Sequence, residues 1–400
     1  MTSRRAVIRA GVVVVLAVGL RQSWMTFRRK DKMTSPDGTT DSADSPAEPP
    51  SGIAPLVPVS VDLSYGIAPM QNGEGEGAFL RPTAEGLALI AFEYHETHPA
   101  IREVSLGARI TRRTLPVSAT DVRVPQRNGP FFSDLRRHIV WREGRTVKTL
   151  INTGEEFALT LPFDVAELVT PAMKPVGGTV EVLALATNRR QLALVRFFDK
   201  SDPVLLWTID MPVAAAFVTC ALGPASSGSE RHIAIVGAPS DGALTLGLSR
   251  FSGDQPAPFT MHSVNEVRPV TNARPGLHAS GDGRLTVGLL VQRSSGSLAL
   301  FETRVTGNQH QDVLHDVGTF TEPVLGGAVL YTSNALGELS RRDAAMVLGD
   351  GTVMRIGADG GATRALMQGR VVDHVNLVPG RQGPFILYFD PDRGPQLEAF

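Results

Sequence analysis

The sequence predicts an all-β protein built from one antiparallel unit that recurs along the chain. Three observations predict this class. Short apolar runs are joined by tight polar turns, equivalent apolar positions recur 43 to 55 residues apart, and the central run of each unit is apolar at consecutive positions. The last feature is typical of strands that are covered on both faces, because a half-exposed strand alternates apolar and polar residues.

The clearest unit spans residues 180–211. Two apolar runs flank the polar tip Asn188-Arg189-Arg190, and a third run follows a charged connection at residues 199–202. Apolar runs of this length, separated by two or three polar residues, predict antiparallel strands joined by hairpins.

Similar units precede and follow this one. Their hairpins turn at short polar or glycine-containing sites: Glu143-Gly144, Asp241-Gly242, Ser295-Gly296, Asp350-Gly351 and Pro391-Asp392-Arg393-Gly394. Asp-Gly is a strong hairpin signal because both positions favour positive φ. An earlier and weaker unit begins at residues 87–95. Aligning one apolar strand position per unit selects Val104, Val147, Leu192, Leu244, Leu298, Val353 and Leu397.

Seven units of about four strands each resemble the blades of a β-propeller. The resemblance implies a seven-bladed β-propeller of four-stranded antiparallel blades. The innermost strands are expected in four connecting segments: AAAFVTCAL, PGLHAS, GAVLYTS and VDHVNLV. Two stacked sandwiches and an open β-solenoid are the alternatives. No specific propeller family is indicated, because the Trp-Asp dipeptide, kelch glycine pairs and a full calcium-loop signature are absent from the sequence.

The last unit ends at Phe400 after two clear strands and therefore lacks an outermost strand. Residues 57–66 have the length and alternation of a strand but no neighbouring partner in sequence. We expect them to close the ring beside residues 396–400, which would remove an exposed sheet edge. The propeller domain then spans residues 57–400.

Residues 1–32 predict a signal peptide or signal anchor with a basic flank. Arg4, Arg5 and Arg9 precede a short uncharged run at residues 10–20, and the paired arginines resemble a twin-arginine export signal. Without cleavage, residues 10–27 would form a membrane tether that places the domain in the periplasm or at the exterior. Translation from Met25 or Met33 would instead leave a cytoplasmic protein.

Residues 33–56 are rich in Ser, Thr, Pro, Asp and Gly and predict a flexible linker and a disordered N-terminal tail. Residues 71–77 are glycine-rich and predict a second flexible loop.

Composition narrows the function classes. A net charge of −1 gives no field that would attract nucleic acid, and an aromatic fraction of 6% argues against a carbohydrate groove of stacked rings. The single cysteine, Cys220, lies in an apolar run and is expected to be buried, so no internal disulfide or cysteine-based zinc site can form. Two pairs of residues could contribute metal ligands: His95 with His98, and Asp390 with Asp392. Neither pair supplies enough ligands for a metal site, so no metal and no cofactor are predicted.

The hairpin tips should emerge on one face of the disc, where propellers usually bind. The binding residues predicted there are Asn188, Arg189, Arg190, Asp241, Arg293, Asp350, Asp392 and Arg393, with His95, Glu96, Glu143 and Arg145 on the same set of tips. No catalytic residues are predicted, although His278 and His374 in innermost strands could face the channel.

The sequence therefore predicts an exported or membrane-tethered scaffold that binds another protein or belongs to an envelope complex. Its rival is a hydrolase or lyase with an active site at the mouth of the central channel. Two or more titratable groups within hydrogen-bond reach in the channel would favour the enzyme; a channel lined by small apolar residues would favour the scaffold.

Overall fold

A computed structural model describes the chain from residue 74 to residue 399, with gaps. The described ranges are 74–95, 98–104, 113–116, 118–123, 138–151, 154–170, 179–222, 230–237, 243–251, 255–333, 338–357, 363–367, 375–378, 384–390 and 394–399. The predicted signal segment, the linker and the closing strand at residues 57–66 lie outside these residues. No helix in the described part of the chain is long and apolar enough to cross a membrane.

The described residues form β-strands grouped into sheets, which we label A to G in chain order. Sheet A contains β1 (Glu74–Thr83), β2 (Gly86–His95), β3 (His98–Val104) and β4 (Arg113–Leu115). Sheet B contains β5 (Thr120–Arg123), β6 (His138–Glu143), β7 (Thr146–Ile151) and β8 (Glu156–Thr160). Sheet C contains β9 (Val165–Val169), β10 (Thr179–Ala186), β11 (Gln191–Phe198) and β12 (Val204–Asp210).

Sheet D contains β13 (Ala215–Leu222), β14 (Arg231–Gly237), β15 (Leu244–Phe251) and β16 (Thr260–Val264). Sheet E contains β17 (Val267–Pro269), β19 (Gly276–Ala279), β20 (Leu285–Arg293), β21 (Leu298–Thr306) and β22 (Gln309–Gly318). Sheet F contains β18 (Ala273–Arg274), β23 (Val324–Ser333), β24 (Leu339–Leu348), β25 (Val353–Ile356) and β26 (Thr363–Met367). Sheet G contains β27 (Val375–Val378), β28 (Phe385–Asp390) and β29 (Gly394–Ala399).

Sheets B, C and D are antiparallel, with their strands hydrogen-bonded in chain order. The predicted innermost segments become β13, β19, β23 and β27, and each pairs with the next long strand of its sheet. In sheet F the two-residue β18 pairs with the other side of β23. The apolar positions that the sequence alignment selected all fall in the strand that follows this long strand. Examples are Leu192 in β11 and Leu298 in β21. The antiparallel order of the long strands in these units is therefore confirmed. The prediction of four-stranded, wholly antiparallel blades does not hold for sheets E and F, which have five strands, or for the parallel pair of β18 and β23.

One prediction was wrong. Residues 74–77 belong to β1 rather than to a flexible loop, and Gly75 pairs with Tyr94. Glycine lowers the strand propensity of a segment, but here the backbone hydrogen bonds to β2 determine its conformation.

Each sheet contacts the next through one strand, which in sheets D to G is the predicted innermost strand. Contacts join β1 to β5, β5 to β9, β9 to β13, β13 to β19, β19 to β23, and β23 to β27. A further contact joins β29 of sheet G to β3 of sheet A.

Apolar side chains fill the spaces between the sheets. One buried cluster joins sheets B and C, a second joins C and D, a third joins D, E and F, and a fourth joins F and G. Central strand β10 is buried from Val180 to Ala186, as the consecutive apolar run predicts. Cys220 is buried, as expected.

Candidate functional site

Within each unit, a hairpin joins the second strand to the third. The tip of this hairpin lies beside a connection that leads from one sheet to the next. The N–H of Val165 donates to the carbonyl of Gly144 at 3.1 Å, and that of Ala215 donates to the carbonyl of Arg189 at 2.7 Å. The same pattern recurs where Ser294 donates to Glu266 and Gly349 donates to Pro323. We call this side of sheets B and C the hairpin-tip end. Backbone bonds hold these tips in place, so side chains on them are carried by a fixed frame.

Two of the predicted binding residues at the hairpin-tip end shape the turn between β10 and β11. Asn188 Oδ1 accepts a hydrogen bond from the Arg190 N–H at 2.8 Å, which is an Asx turn. Arg189 has a φ of 58°, a left-handed conformation that is uncommon outside glycine. The exposed Arg190 side chain makes no ion pair among the residues that the structure describes.

Arg189 also links neighbouring sheets. Its Nη1 lies 3.1 Å from Oε2 of Glu167 in β9 and donates to the carbonyl of Ala216 in β13 at 3.4 Å. The side chain is 39% exposed, so one part of the guanidinium stabilises the junction of sheets C and D while another part faces solvent.

Asp121 and Arg123 of β5 extend this arrangement inward. Arg123 Nη2 lies 3.0 Å from Asp121 Oδ1 and 3.9 Å from Glu167 Oε1. Arg142 of β6 places Nε 3.9 Å from Asp121 Oδ2 and donates from Nη1 to the carbonyl of Val165 at 2.7 Å. We call Asp121, Arg123, Arg142, Glu167 and Arg189 the inner charged cluster.

The strand register puts the inner charged cluster near the hairpin-tip end. Thr120 pairs with Arg142 and Val165 pairs with Ala186, so the starts of β5 and β9 adjoin the β6–β7 and β10–β11 hairpins. The cluster therefore contains the predicted residue Arg189 and lies beside Arg190, Glu143 and Arg145.

Burial differs across the inner charged cluster. The Arg123 side chain is 3% exposed and that of Asp121 12%, whereas Glu167 is 29% exposed. Burial raises the pKa of Asp121 above its usual range, although the positive charge of Arg123 opposes the rise. The N–H of Leu168 donates to Asp121 Oδ2, which fixes the carboxylate between β5 and β9. Asp121 has a φ of 53°, and aspartate is among the few residues that tolerate this conformation.

Sequence reasoning missed four members of the inner charged cluster. The available signal was Asp121-Val122-Arg123, in which an acid and a base two positions apart share one face of a short strand. That signal does not identify Arg142, which reaches Asp121 through the pairing of β5 with β6. It does not identify Glu167 either, because Glu167 reaches Arg123 only through the packing of sheets B and C.

The remaining predicted residues are placed as follows. Arg293 ends β20 and pairs through Nη2 with Asp316 Oδ1 at 2.5 Å, and Asp350 Oδ1 accepts from the Thr352 N–H at 2.8 Å in the β24–β25 turn. That hydrogen bond lowers the pKa of Asp350. Five of the residues singled out from the sequence lie outside the described residues: Glu96, Asp241, His374, Asp392 and Arg393. His95 ends β2 and pairs in register with His98, and His278 is buried in β19.

Other buried charges connect adjacent sheets away from this end. Glu181 of β10 binds Arg196 of β11 at 2.6 Å and also binds Arg231 of β14 in sheet D. Glu302 of β21 lies 3.2 Å from Arg342 of β24 in sheet F. In the described part of the chain, no group of three or more His, Cys, Asp or Glu side chains is arranged to hold a metal ion.

Comparison with solved structures defines the fold. A polysaccharide lyase of family 25, an ulvan lyase, superposes with a TM-score of 0.50 at 8% identity over 87% of this chain and 94% of that chain. The same enzyme bound to a GlcA–Rha3S ligand gives 0.48 at 9% identity over 87% and 93%. BBS1N in complex with ARL6DN gives 0.46 at 8% identity over 79% and 88%.

At these sequence identities the similarity shows the fold alone, and that fold is a β-propeller. No protein-family model and no curated protein matches the sequence.

Proposed function

We propose that this protein is an exported or membrane-tethered β-propeller scaffold that binds an acidic segment of a protein partner at the hairpin-tip end of sheets B and C. The propeller has seven blades, and residues 57–66 close its ring beside β29. The partner is another protein or an envelope complex.

One observation carries the binding proposal: the hairpin-tip end has an excess of guanidinium groups on a fixed frame. In the inner charged cluster, three arginines face two carboxylates, which leaves a charge of +1 when all five are ionised. The exposed Arg190 extends the positive surface from the cluster. The 55% exposed Arg145 adds a further guanidinium, whose Nε lies 4.0 Å from Oδ1 of the exposed Asp164. Guanidinium groups bind carboxylates in bidentate geometry, so an acidic segment is the complementary ligand.

The export or tether part of the proposal is supported by residues 1–56 of the sequence. Arg4, Arg5 and Arg9 precede an uncharged run, and a polar linker separates that run from the domain. A linker of this kind would let a tethered propeller face a partner in the same envelope.

The charge-reversal variant Arg145→Glu/Arg190→Glu tests the binding surface. Tagged full-length protein would be used to capture partners from solubilised envelope membranes at low and at high salt. We expect the wild type to capture a partner in a salt-sensitive manner and the variant to lose it, because charge pairs at an interface are screened by ions.

Arg250→Glu is the matched control. Arg250 is 72% exposed at the far end of β15, away from the hairpin tips, and is also a charge reversal. Equal capture by wild type, Arg145→Glu/Arg190→Glu and Arg250→Glu would refute the proposed surface.

A hydrolase or lyase is the second candidate, and Asp121 favours it. This carboxylate is 12% exposed, has a raised pKa and lies 3.0 Å from Arg123 on the same strand. Titratable groups within hydrogen-bond reach of each other are the feature expected of an enzyme. If the protein is an enzyme, it should turn over at least one member of a panel of glycans and peptides, and Asp121→Asn should abolish that turnover. The scaffold predicts that Asp121→Asn retains partner capture, because removing a negative charge leaves the guanidinium excess larger.

A further inference from the structure

Two histidine rings stack between the outer strands of neighbouring sheets. His262 of β16 in sheet D and His310 of β22 in sheet E have ring centroids 4.1 Å apart and an interplanar angle of 12°. His262 Nε2 lies 2.7 Å from Asp312 Oδ2, also on β22. The three side chains therefore form a polar contact between the outer strands of sheets D and E.

Few charges face this histidine stack. Register places Val305 and Thr303 of β21 opposite His310 and Asp312, and Leu246 of β15 opposite His262. His262, His310 and Asp312 are the titratable groups that meet at the stack. By register, the same face of sheet D also carries Arg250 and His232 farther along β15 and β14. The same face of sheet E carries Arg293 and Asp316 towards the other end of β20 and β22. Burial lowers the pKa of His310, and the nearby His262 lowers it further, while Asp312 acts in the opposite direction.

We propose that the His262–His310 stack is an acid-sensitive contact that loosens the outer junction of sheets D and E when both rings are protonated. Asp312 can neutralise one imidazolium. A second proton then places two cations face to face at stacking distance, and their repulsion separates β16 from β22.

The direction with pH follows from the lowered pKa of His310. A group that holds its proton less tightly in the folded state contributes stability above its unfolded pKa of 6.5, and that stability is lost as pH falls through the folded pKa. The junction is therefore closed at neutral pH and loosens in acid.

Hydrogen–deuterium exchange of the full-length protein at about pH 7.5 and about pH 5.5, on either side of the ordinary histidine pKa, tests this device. After correction for intrinsic exchange, we expect severalfold faster uptake at the lower pH in residues 260–264 and 309–318. His310→Phe should abolish that increase, because phenylalanine keeps the stack without titrating. The Nδ1 of His310 makes no hydrogen bond within the described residues, so this change removes no bond there.

His315→Phe is the matched control. His315 lies on the same strand opposite Leu300, on the other face of β22, and its replacement should leave the acid-induced increase intact. An increase that persists in His310→Phe, or that is absent from the wild type, would overturn the proposal. If His310→Phe fails to fold, His310→Asn gives the same non-titrating comparison with a polar side chain.

Discussion

Glu181 illustrates how single residues hold the sheets together. It is 1% exposed and binds two guanidinium groups, Arg196 in its own sheet and Arg231 in the next. Arg231 also lies 5.3 Å from the centre of the Phe251 ring. Burial lowers the pKa of Arg231 to about 10, so the side chain remains charged at neutral pH and requires a counter-charge.

Glu181→Ala is expected to lower the free energy of unfolding by about 3 kcal/mol or more, because it leaves a buried guanidinium without its carboxylate. Urea denaturation of the full-length protein measures this. Glu230→Ala, which breaks a pair 3.6 Å long with the exposed Arg250, is the control and should cost under ~1 kcal/mol. Equal costs for the two variants would contradict a structural role for the buried pair.

Gly288 makes room for Tyr331 between sheets E and F. A Cβ at Gly288 would clash with the Tyr331 hydroxyl, which itself donates to Glu302. We expect Gly288→Ala to cost about 1–3 kcal/mol of unfolding free energy through overpacking. The cost should be smaller in a Tyr331→Phe background, which removes the clashing oxygen, and a double-mutant cycle by urea denaturation measures the difference. An unchanged cost would show that the clash is not with the hydroxyl.

The hairpins are the elements that sequence reasoning predicted best. Turn residues and apolar runs suffice to locate a hairpin, as the Asn188-Arg189-Arg190 tip and the Leu185–Leu192 pairing show. Strand β1 was not predicted because its glycines weaken the local strand signal. Its conformation depends on pairing with β2. The inner charged cluster could not be predicted either, since Asp121 and Glu167 meet only through packing between sheets.

The β6–β7 hairpin requires a left-handed residue at Gly144. Its φ is 60°, and a Cβ there would meet nothing within 4 Å, so substitution changes the backbone energy alone. Gly144→Ala should cost about 1–2 kcal/mol, and Gly144→Asn should cost less because asparagine tolerates this conformation. Thermal unfolding of the two variants measures the difference, and an equal loss in both would contradict this assignment.

At the scale of the whole molecule, the contacts between neighbouring sheets form the frame that carries the hairpin-tip end. Contacts run from each sheet to the next and from β29 back to β3. Sheet G has three strands in the described part of the chain, and the proposal adds residues 57–66 as its fourth.

Deleting residues 57–66 should therefore destabilise the domain by exposing an edge of sheet G, and should promote aggregation. A deletion of equal length in the linker, residues 39–48, is the control and should leave the unfolding midpoint unchanged. Equal unfolding midpoints for the two deletion variants would show that residues 57–66 do not contribute to the folded domain.

Photo-cross-linking from β29 tests the ring closure most directly. A benzoylphenylalanine at position 396 of the full-length protein would be irradiated and the joined peptides identified by mass spectrometry. Closure predicts cross-links from position 396 to residues 57–66. Cross-links that reach β3 or other segments but never residues 57–66 would contradict it.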